Sequence, residues 1–165
     1  MKEINIREIK ESAVKMISDD WALLSAGNES KWNTMTVSWG GIGEIWGKDV
    51  AFVFVRPQRY TKEFIDKNGR FTLSFFGGEM KKEMGILGKI SGRNEDKIAL
   101  SRIKGVFEAD TVYVDGAKYV LVCKTLYTDF IKPENFIEKD NDEKWYAQKD
   151  YHKVYVAQIE KVLEK

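Results

Sequence analysis

The sequence predicts a mainly β protein, built as a small barrel with a few short peripheral helices. Many short runs of β-branched and aromatic residues are separated by turn residues, whereas few segments show helical periodicity. Strands and helices do not alternate in the way that a parallel α/β sheet requires. Aromatic residues make up 13% of the 165 residues, which suits a β-rich core. We therefore expect one domain over residues 1–165 with one core.

The N-terminal region is predicted to contain one helix and a β-hairpin. Apolar residues recur at three- and four-residue spacing over residues 6–18, which predicts an amphipathic helix covering one end of the barrel. Residues 21–26 and 32–39 are predicted to be strands, joined by the polar turn at residues 27–31.

The glycine-rich segment 40–47 follows the second strand and is predicted to be a flexible loop at the barrel rim. Glycines after a strand also occur in dinucleotide-binding folds, but there a helix must follow them. Here residues 50–55 read Val-Ala-Phe-Val-Phe-Val, which predicts a strand. The sequence context of a dinucleotide-binding fold is therefore absent.

Helical patterns then return in three short segments. Residues 60–67 are predicted to be a helix that ends near Gly69, because glycine readily terminates helices. Residues 80–87 are predicted to be helical, residues 88–96 a loop, and residues 96–101 a further helical turn.

The remaining strands are expected mostly in the second half of the chain. They are predicted at residues 71–76, 106–108, 112–114, 119–127 and 154–159. Asp115-Gly116 is a tight-turn dipeptide between two of them. Residues 132–149 are polar with scattered aromatics and are predicted to be a solvated insertion.

Charge and composition exclude several classes of partner. Twenty-seven basic and 26 acidic residues give a net charge of +1, so we expect neither nucleic acid nor a membrane surface as a partner. One cysteine, Cys123, and one histidine, His152, exclude a disulfide framework and a common structural zinc site. No apolar stretch approaches the roughly 18 residues of a spanning helix, and no signal peptide is evident. We expect a cytoplasmic protein without a metal.

Two neighbouring segments offer complementary polar groups. Residues 33–40 read Asn-Thr-Met-Thr-Val-Ser-Trp-Gly and present small hydroxyl and amide groups along an extended backbone. Residues 56–61 read Arg-Pro-Gln-Arg-Tyr-Thr and offer two guanidiniums and hydroxyls. The first set suits a flat ring rich in hydrogen-bonding groups, and the second suits a phosphate. FMN carries both, and the sequence predicts it as the cofactor.

The first segment is expected to hold the isoalloxazine ring. Alternation places Thr34, Thr36 and Ser38 on one face of the strand, where they and the backbone amides can bond the ring. The alternative is a solvated strand face, with Asn33 merely closing the preceding hairpin. The candidate ring-binding residues are Asn33, Thr34, Met35, Thr36, Val37 and Ser38.

The second segment is expected to hold the phosphate. Arg56 and Arg59 are charge-assisted donors, and the helix that begins near Thr61 would direct free backbone N–H groups at an anion. The alternative is that both arginines are surface charges and Thr61 a helix cap. The candidate phosphate-binding residues are Arg56, Arg59, Tyr60 and Thr61.

With these two motifs, the chain resembles the flavin reductase-like family, which folds as an FMN-binding split β-barrel and includes flavoredoxins. Residues 71–75, Phe-Thr-Leu-Ser-Phe, resemble the strand after the first helix of that family. Residues 91–97, Ser-Gly-Arg-Asn-Glu-Asp-Lys, resemble the family's Ser-Gly-Arg-Asp-x-Asp-Lys loop, with Asn94 where aspartate is commoner. Residues 151–156 resemble its last core strand. The resemblance covers residues 10–162 and keeps the order of the family motifs.

The resemblance implies further site residues. Ser91 and Arg93 lie in the loop that approaches the flavin in the family, although the same residues alone indicate only a turn. His152 stands where the family's two-component reductases place a histidine near flavin and nicotinamide. Tyr151 and Ala157 depart from the Asp-His-x-x-x-x-Gly pattern there, and the alternative is a structural histidine.

Function is expected to reside in the flavin, with no catalytic residue required of the protein. The first hypothesis is an NAD(P)H-dependent flavin reductase or a flavoredoxin-like electron carrier, binding FMN rather than FAD. The second is an oxidase of the pyridoxamine-phosphate type, which would need extra basic residues for its substrate. The third is a binding module that has lost the cofactor.

A homodimer is the expected working unit, with a small-molecule electron donor, NADH or NADPH, or a redox protein as its partner. The resemblance implies a dimer in which each flavin lies near the subunit contact. The aromatic residues that exceed the needs of one small core are Trp32, Trp39, Trp46, Trp145 and Tyr146.

Overall fold

The computed structural model describes residues 1–101, 103–108 and 110–165 and shows a mainly β fold. The strands are β1 (Lys2–Ile4), β2 (Ala22–Asn28), β3 (Lys31–Val37), β4 (Gly40–Ile45), β5 (Lys48–Val55), β6 (Arg70–Phe75), β7 (Gly105–Glu108), β8 (Thr111–Val114), β9 (Tyr119–Phe130) and β10 (Lys153–Glu164). The α-helices are α1 (Thr61–Asn68), α2 (Lys81–Lys89), α3 (Lys97–Ser101) and α4 (Asp140–Trp145). Short 3₁₀ turns at Ile6–Glu8 and Pro133–Asn135 and a π-helical segment at Lys15–Asp20 complete the elements.

An antiparallel sheet of eight strands forms the body of the protein. Its order is β3-β2-β6-β9-β10-β5-β4, with β1 added to β10, while β7 and β8 form a separate hairpin. The sheet curls but does not close, because β3 and β4 are its two end strands. Trp39 lies between these two strands, and its carbonyl accepts from the backbone N–H of Phe54 in β5 at 3.4 Å. This is the split barrel that the sequence predicted.

Two apolar clusters replace the one expected core. The first fills the barrel and includes Leu24, Val53 and Phe71. The second lies on the outer side of the sheet and includes Leu23 of β2 and Met84 of α2. Successive side chains of a strand point to opposite faces, so β2 is buried on both. That explains its nearly continuous apolar sequence.

The prediction of one helix over residues 6–18 is wrong. Asn5 follows β1 and caps a single 3₁₀ turn, and Glu8 completes this cap by accepting from the Asn5 N–H at 2.6 Å. A helix resumes only at the π-helical segment Lys15–Asp20. It ends at Trp21, whose φ of 63° is strained for a bulky side chain. Apolar spacing alone did not reveal these local caps.

The prediction of a loop at residues 40–47 is also wrong, because β4 occupies most of this segment. β4 pairs antiparallel with β5, placing Gly41 opposite Phe52. A Cβ atom on Gly41 would lie 2.6 Å from the Phe52 ring. The glycine therefore serves close packing beneath an aromatic ring rather than flexibility.

Other predicted elements are confirmed with small shifts of their bounds. The β2–β3 hairpin forms, α1 ends at Gly69 with a left-handed φ of 64°, and Asp115-Gly116 makes the turn between β8 and β9. The 132–149 segment differs from the prediction of a solvated insertion, because it contains α4 and buries Tyr146 to 3% exposure. Among the described residues, no helix is long and apolar enough to cross a membrane.

Candidate functional site

Three adjoining cavities follow β3. Within the described residues β3 pairs with β2 alone, so its other edge is free. The aromatic cavity, about 200 Å³, is lined by residues that include Val37, Ser38, Trp39, Phe54, Trp145 and His152. The cationic cavity, about 170 Å³, is lined by residues that include Arg59, Tyr60, Thr61, Ser91, Gly92 and Lys97. The outer cavity, about 550 Å³, is lined by residues that include Lys31, Trp32, Asn33, Tyr60, Arg93 and Lys97.

These cavities share walls and form one groove. Met35 and Arg59 line both the aromatic and the cationic cavities. Tyr60, Gly92 and Lys97 line both the cationic and the outer cavities. An elongated ligand could therefore reach from one compartment into the next.

Residues from three separate sequence motifs meet at the centre of the groove. Asn33 of β3 donates from Nδ2 to Thr61 Oγ1 at 2.8 Å, and both side chains are buried. Gly92 packs so tightly there that a Cβ atom would lie 2.4 Å from Asn33 Oδ1. Asn33 thus ties the strand to α1 and to the loop after α2. The structure brings together the segments that the sequence paired.

Three cations line the cationic cavity: the exposed Lys89 and the more buried Arg59 and Lys97. Arg59 donates to the Gly88 carbonyl, and Lys97 Nζ lies 3.4 Å from the Ile90 carbonyl oxygen. No carboxylate in residues 1–101, 103–108 or 110–165 forms an ion pair with Arg59 or Lys97. These two cations are left to face the cavity with only backbone carbonyls as partners.

Burial makes these charges costly. Burial, followed by the charge of the neighbouring Arg59, lowers the pKa of Lys97 to about 8. Burial, followed by the charge of Arg56, likewise lowers the pKa of Arg59 from its usual value. An anion in the cavity would favour the charged forms of both groups and relieve their mutual repulsion.

Arg56, predicted to hold the phosphate, forms an ion pair within the protein. Its Nη1 lies 2.5 Å from Asp150 Oδ2, and its Nη2 donates to the Trp145 carbonyl at 3.1 Å. The guanidinium also lies over the Tyr146 ring, 5.3 Å from the ring centre. Arg56 therefore lines the aromatic cavity and anchors the segment before β10.

Arg93 is paired as well. It donates to the Gln58 carbonyl at 2.8 Å, forms an ion pair with Glu63, and lies 5.1 Å from the Tyr60 ring centre. These contacts place it in the wall of the outer cavity. Ser91 lines the cationic cavity, and its Oγ accepts from the Arg93 N–H at 3.3 Å.

The predicted polar face of β3 is largely occupied by protein. Thr34 is fully buried, where its hydroxyl bonds Ser25 Oγ at 2.9 Å and donates to the Leu24 carbonyl at 3.1 Å. Thr36 lines the aromatic cavity but donates to the Met84 carbonyl of α2 at 2.6 Å. Thr34 lies outside the three cavities because β2 and α2 cover its side of the strand. Ser38 lines the aromatic cavity.

Two of the N–H groups that were expected to be free at the start of α1 are bonded within the preceding turn. The N–H of Lys62 donates to Arg59 O, and that of Glu63 to Tyr60 O, each at 3.1 Å. These turn bonds consume two donors of the first helical turn. Thr61 contributes to the site through its side chain and its place in the cavity wall.

His152 lines the aromatic cavity. Its ring centre is 4.9 Å from that of Trp39, and its Nδ1 is 2.8 Å from the Tyr146 hydroxyl oxygen. Burial, followed by the charge of Arg56, lowers the pKa of His152 to about 4. The imidazole is therefore neutral near pH 7 and has a fixed orientation.

Sequence reasoning missed two site residues. Lys97 was visible as the final residue of the Ser-Gly-Arg-Asn-Glu-Asp-Lys loop, but its burial against Arg59 was not. Trp145 was noted only as a surplus aromatic, whereas it forms a wall of the aromatic cavity. Cys123, interpreted as a small buried hydrophobe, is fully buried, and burial raises the pKa of its thiol.

The donor set fits FMN. Arg59 and Lys97, which have no ion-pair partner among the described residues, suit a phosphate together with the hydroxyls of Thr61 and Ser91. The adjoining aromatic cavity and the edge of β3 suit a flat ring that needs backbone hydrogen bonds. Among the described residues, no group of three or more metal-ligating side chains is present.

Comparison with known proteins agrees with this geometry. The family model for the flavin reductase like domain matches residues 15–163. The structure is similar to flavoredoxin of Desulfovibrio vulgaris (Miyazaki F), at 20% identity and a TM-score of 0.68, covering 100% of this chain and 77% of that one.

Two further solved structures show the same fold. An FMN-binding protein from Thermus thermophilus has 20% identity and a TM-score of 0.67, covering 100% of this chain and 82% of that one. Flavoredoxin from Methanosarcina acetivorans has 20% identity and a TM-score of 0.67, covering 88% of this chain and 68% of that one. Comparison with curated protein sequences gave no match.

Proposed function

The chain belongs to the family of flavin reductase like domains, and we propose that it binds FMN in the groove along β3 and passes electrons through the flavin. The observation that carries this proposal is the pair Arg59 and Lys97, two cations side by side with no carboxylate bound to either in the described chain. Natural proteins rarely leave buried charges uncompensated. A terminal phosphate, close to a dianion at neutral pH, is the compensation that FMN offers.

The protein's own groups would hold and shield the flavin. Arg59, Lys97, Ser91 and Thr61 would bind the phosphate in the cationic cavity. The ring would lie in the aromatic cavity, with the free edge of β3 and Ser38 supplying hydrogen bonds. Bound FMN supplies the ability to accept a hydride or single electrons.

We propose an NAD(P)H-dependent flavin reductase or a flavoredoxin-like carrier as the specific activity. Neutral His152, held by Tyr146, would contribute a hydrogen bond or a ring contact at the flavin edge. The family and the fold support flavin-linked electron transfer. The use of NADH or NADPH as the electron donor is the additional claim of this proposal.

Two alternatives are less well supported. A pyridoxamine-phosphate-type oxidase needs a second set of cations for its substrate, yet Arg56 and Arg93 are both committed to ion pairs. A module without cofactor gives no reason for the unpaired charges of Arg59 and Lys97.

We also propose a homodimer that uses the outer face of β5 and β10. Ala51, Val53 and Val55 of β5 belong to the barrel core, so Phe52 and Phe54 point to the opposite face. Val156 faces Phe52 across the strands in the pairing register. No helix makes extensive contact with β4, β5 or β10 in the described chain.

Exposed rings extend the same surface. Trp46 and Tyr127 are 58% and 49% exposed and lie edge to face, 6.4 Å between ring centres. Phe54 connects the surface to the aromatic cavity, which it also lines. A second subunit here would cover exposed aromatics and the cavity together. Sedimentation equilibrium should give twice the chain mass of 19.1 kDa, and a monomer at micromolar concentration would contradict the dimer.

Flavin binding is tested directly by colour and by ligand choice. We expect purified protein to absorb as a flavoprotein and to release FMN on heating, identified by chromatography. FMN should bind at least about tenfold more tightly than riboflavin, which lacks the phosphate, since one charge-assisted contact is worth about 1.5–3 kcal/mol. Equal affinities would refute the phosphate site, and release of mainly FAD would refute the choice of cofactor.

Donor use is a separate measurement. Anaerobic addition of NADH or NADPH to the flavin-loaded protein should bleach the flavin absorbance if the protein is a reductase. Flavin that resists both nucleotides but accepts electrons from dithionite would support the carrier.

A further inference from the structure

The segment between β9 and β10, residues 131–151, forms a strap over the aromatic cavity. Two attachments hold its C-terminal part in place. The Tyr146 hydroxyl bonds His152 Nδ1 at 2.8 Å, and Asp150 pairs with Arg56 at 2.5 Å. Within the strap, Tyr151 donates to Asp142 Oδ1 at 2.7 Å.

These attachments place one ring at the mouth of the cavity. The Trp145 carbonyl accepts from Arg56 at 3.1 Å, which fixes the backbone at this residue. The Trp145 indole meets Trp39 edge to face, with 5.2 Å between ring centres and 84° between planes. One side of Trp145 lines the cavity while the side chain remains 44% exposed. The indole is therefore a wall between cavity and solvent.

The space behind this wall is small. The aromatic cavity measures about 200 Å³. Pockets that enclose drug-sized ligands measure roughly 300–1,000 Å³. The cavity can accept one ring system at the edge of β3, but a second planar ring stacked on the first needs space that Trp145 occupies.

We infer that Trp145 is a specificity-determining residue that restricts the access of a second planar ring, the nicotinamide of a reduced dinucleotide, to the flavin. This inference rests on the proposed function. Displacement of the indole requires only a side-chain rotation or release of the strap, whose attachments are an ion pair and a few hydrogen bonds. Access is thus controlled by a local equilibrium rather than closed permanently.

The gated step is a hydride transfer. The dihydronicotinamide ring carbon gives up a hydride, two electrons with one proton, and the dinucleotide is oxidised as the flavin is reduced. The protein's contribution at this step is to admit or exclude the donor ring. If the open arrangement is about a tenth of the population, the apparent affinity for the donor is reduced roughly tenfold.

The test compares Trp145→Ala with the control Ile137→Ala in flavin-loaded protein. Ile137 lies in the same strap, is 91% exposed, and lines none of the three cavities. Three quantities are measured: the FMN dissociation constant, the quenching of bound-flavin fluorescence by iodide, and the anaerobic rate of flavin reduction at subsaturating NADH or NADPH.

We expect Trp145→Ala to raise iodide quenching and to raise the reduction rate roughly tenfold, in line with the removal of a gate that is mostly closed. FMN affinity should change less than threefold, about 0.65 kcal/mol or less. Ile137→Ala should match the wild type in all three. Trp145→Phe, which keeps a smaller ring, should give intermediate values and serves if the alanine variant does not fold.

The outcomes separate the two proposals. A wild-type protein that binds no flavin overturns the proposed function and the gate with it. Normal FMN binding with unchanged quenching and unchanged reduction in the Trp145 variants overturns the gate alone. A loss of FMN affinity of tenfold or more in Trp145→Ala also overturns it, because the indole would then be a flavin contact.

Discussion

The two ends of the groove differ in whether their charged side chains have ion-pair partners within the protein. At the cationic end, Arg59 and Lys97 have backbone carbonyls as partners but no ion pair within the described chain. At the aromatic end, Arg56 is matched by Asp150, and His152 is bonded to Tyr146. Groups that are satisfied internally build the wall of a site, whereas groups left unsatisfied are available to a ligand. Arg56 and Arg59 are only three positions apart in sequence, yet Arg56 forms part of the cavity wall whereas Arg59 is available to a ligand.

The largest effect on FMN binding is expected from removing both Arg59 and Lys97. Arg59→Ala combined with Lys97→Ala should weaken FMN binding at least about a hundredfold, since each charge-assisted contact is worth about 1.5–3 kcal/mol. Riboflavin affinity should change little, because riboflavin has no phosphate. Fluorescence titration of both ligands measures the difference.

Lys10→Ala, which removes one exposed positive charge, is the control for general electrostatics. It should leave both affinities unchanged. An equal loss for FMN and riboflavin in the double variant would mean that the cations support the pocket without binding phosphate.

The second test uses pH at the aromatic end. The pKa of His152 is lowered to about 4 in the folded protein, below the unfolded value near 6.5. The unfolded state therefore binds the proton first as pH falls, so stability is complete above about pH 6.5 and is lost progressively towards pH 4. The loss from this one group should be on the order of 3 kcal/mol, since one pKa unit corresponds to about 1.4 kcal/mol.

Urea unfolding between pH 7.5 and pH 4 measures this dependence. His152 is the only histidine, so His152→Gln should remove the part of the slope between pH 6.5 and pH 4. Asp66 provides a separate reference, because its pKa is lowered to about 2 by hydrogen bonds from Lys153, Lys62 and Tyr155 against the opposing effect of burial. Its stabilising effect is lost only at lower pH. Identical slopes for the wild type and His152→Gln would contradict a buried neutral imidazole.

The smallest expected effect comes from the paired arginine. Arg56→Ala should lower the free energy of unfolding by about 1–2 kcal/mol, because it leaves Asp150 without its partner and frees the Trp145 carbonyl. FMN affinity should fall less than in Arg59→Ala. Urea unfolding and FMN titration of the two single variants provide the comparison. A loss of FMN affinity as large as that of Arg59→Ala, with unchanged stability, would restore Arg56 as a phosphate ligand.

Local patterns predicted those elements whose signals are themselves local. The β2–β3 hairpin follows from alternation and a polar turn, and the end of α1 follows from Gly69 in a left-handed conformation. The failures have equally specific causes. Segment 40–47 looked flexible because glycine normally weakens a strand, yet Gly41 is required beneath the Phe52 ring. Only the pairing of β4 with β5 makes that requirement visible.

The candidate site was predicted only in part, because its motifs are local in sequence whereas the packing around them is not. Asn33 and Thr61 were recognised as members of two motifs, and they do meet through a hydrogen bond of 2.8 Å. The role of Thr34 depends on whether β2 and α2 cover its face, which is a property of packing. Single motifs carry no information about such neighbours.

The class of fold, the positions of most strands along the chain and the two polar motifs follow from local sequence, because alternation, turn residues and residue chemistry act over a few neighbouring positions. The tertiary structure decided which charges are free. Arg56 contacts both the carboxylate and the backbone carbonyl of Asp150, which is 94 positions away in the sequence. Arg59 and Lys97 lie close enough for the charge of Arg59 to lower the pKa of Lys97. Pairing and burial depend on contacts between distant segments, so only the folded chain distinguishes an arginine that builds the wall from one that faces the ligand.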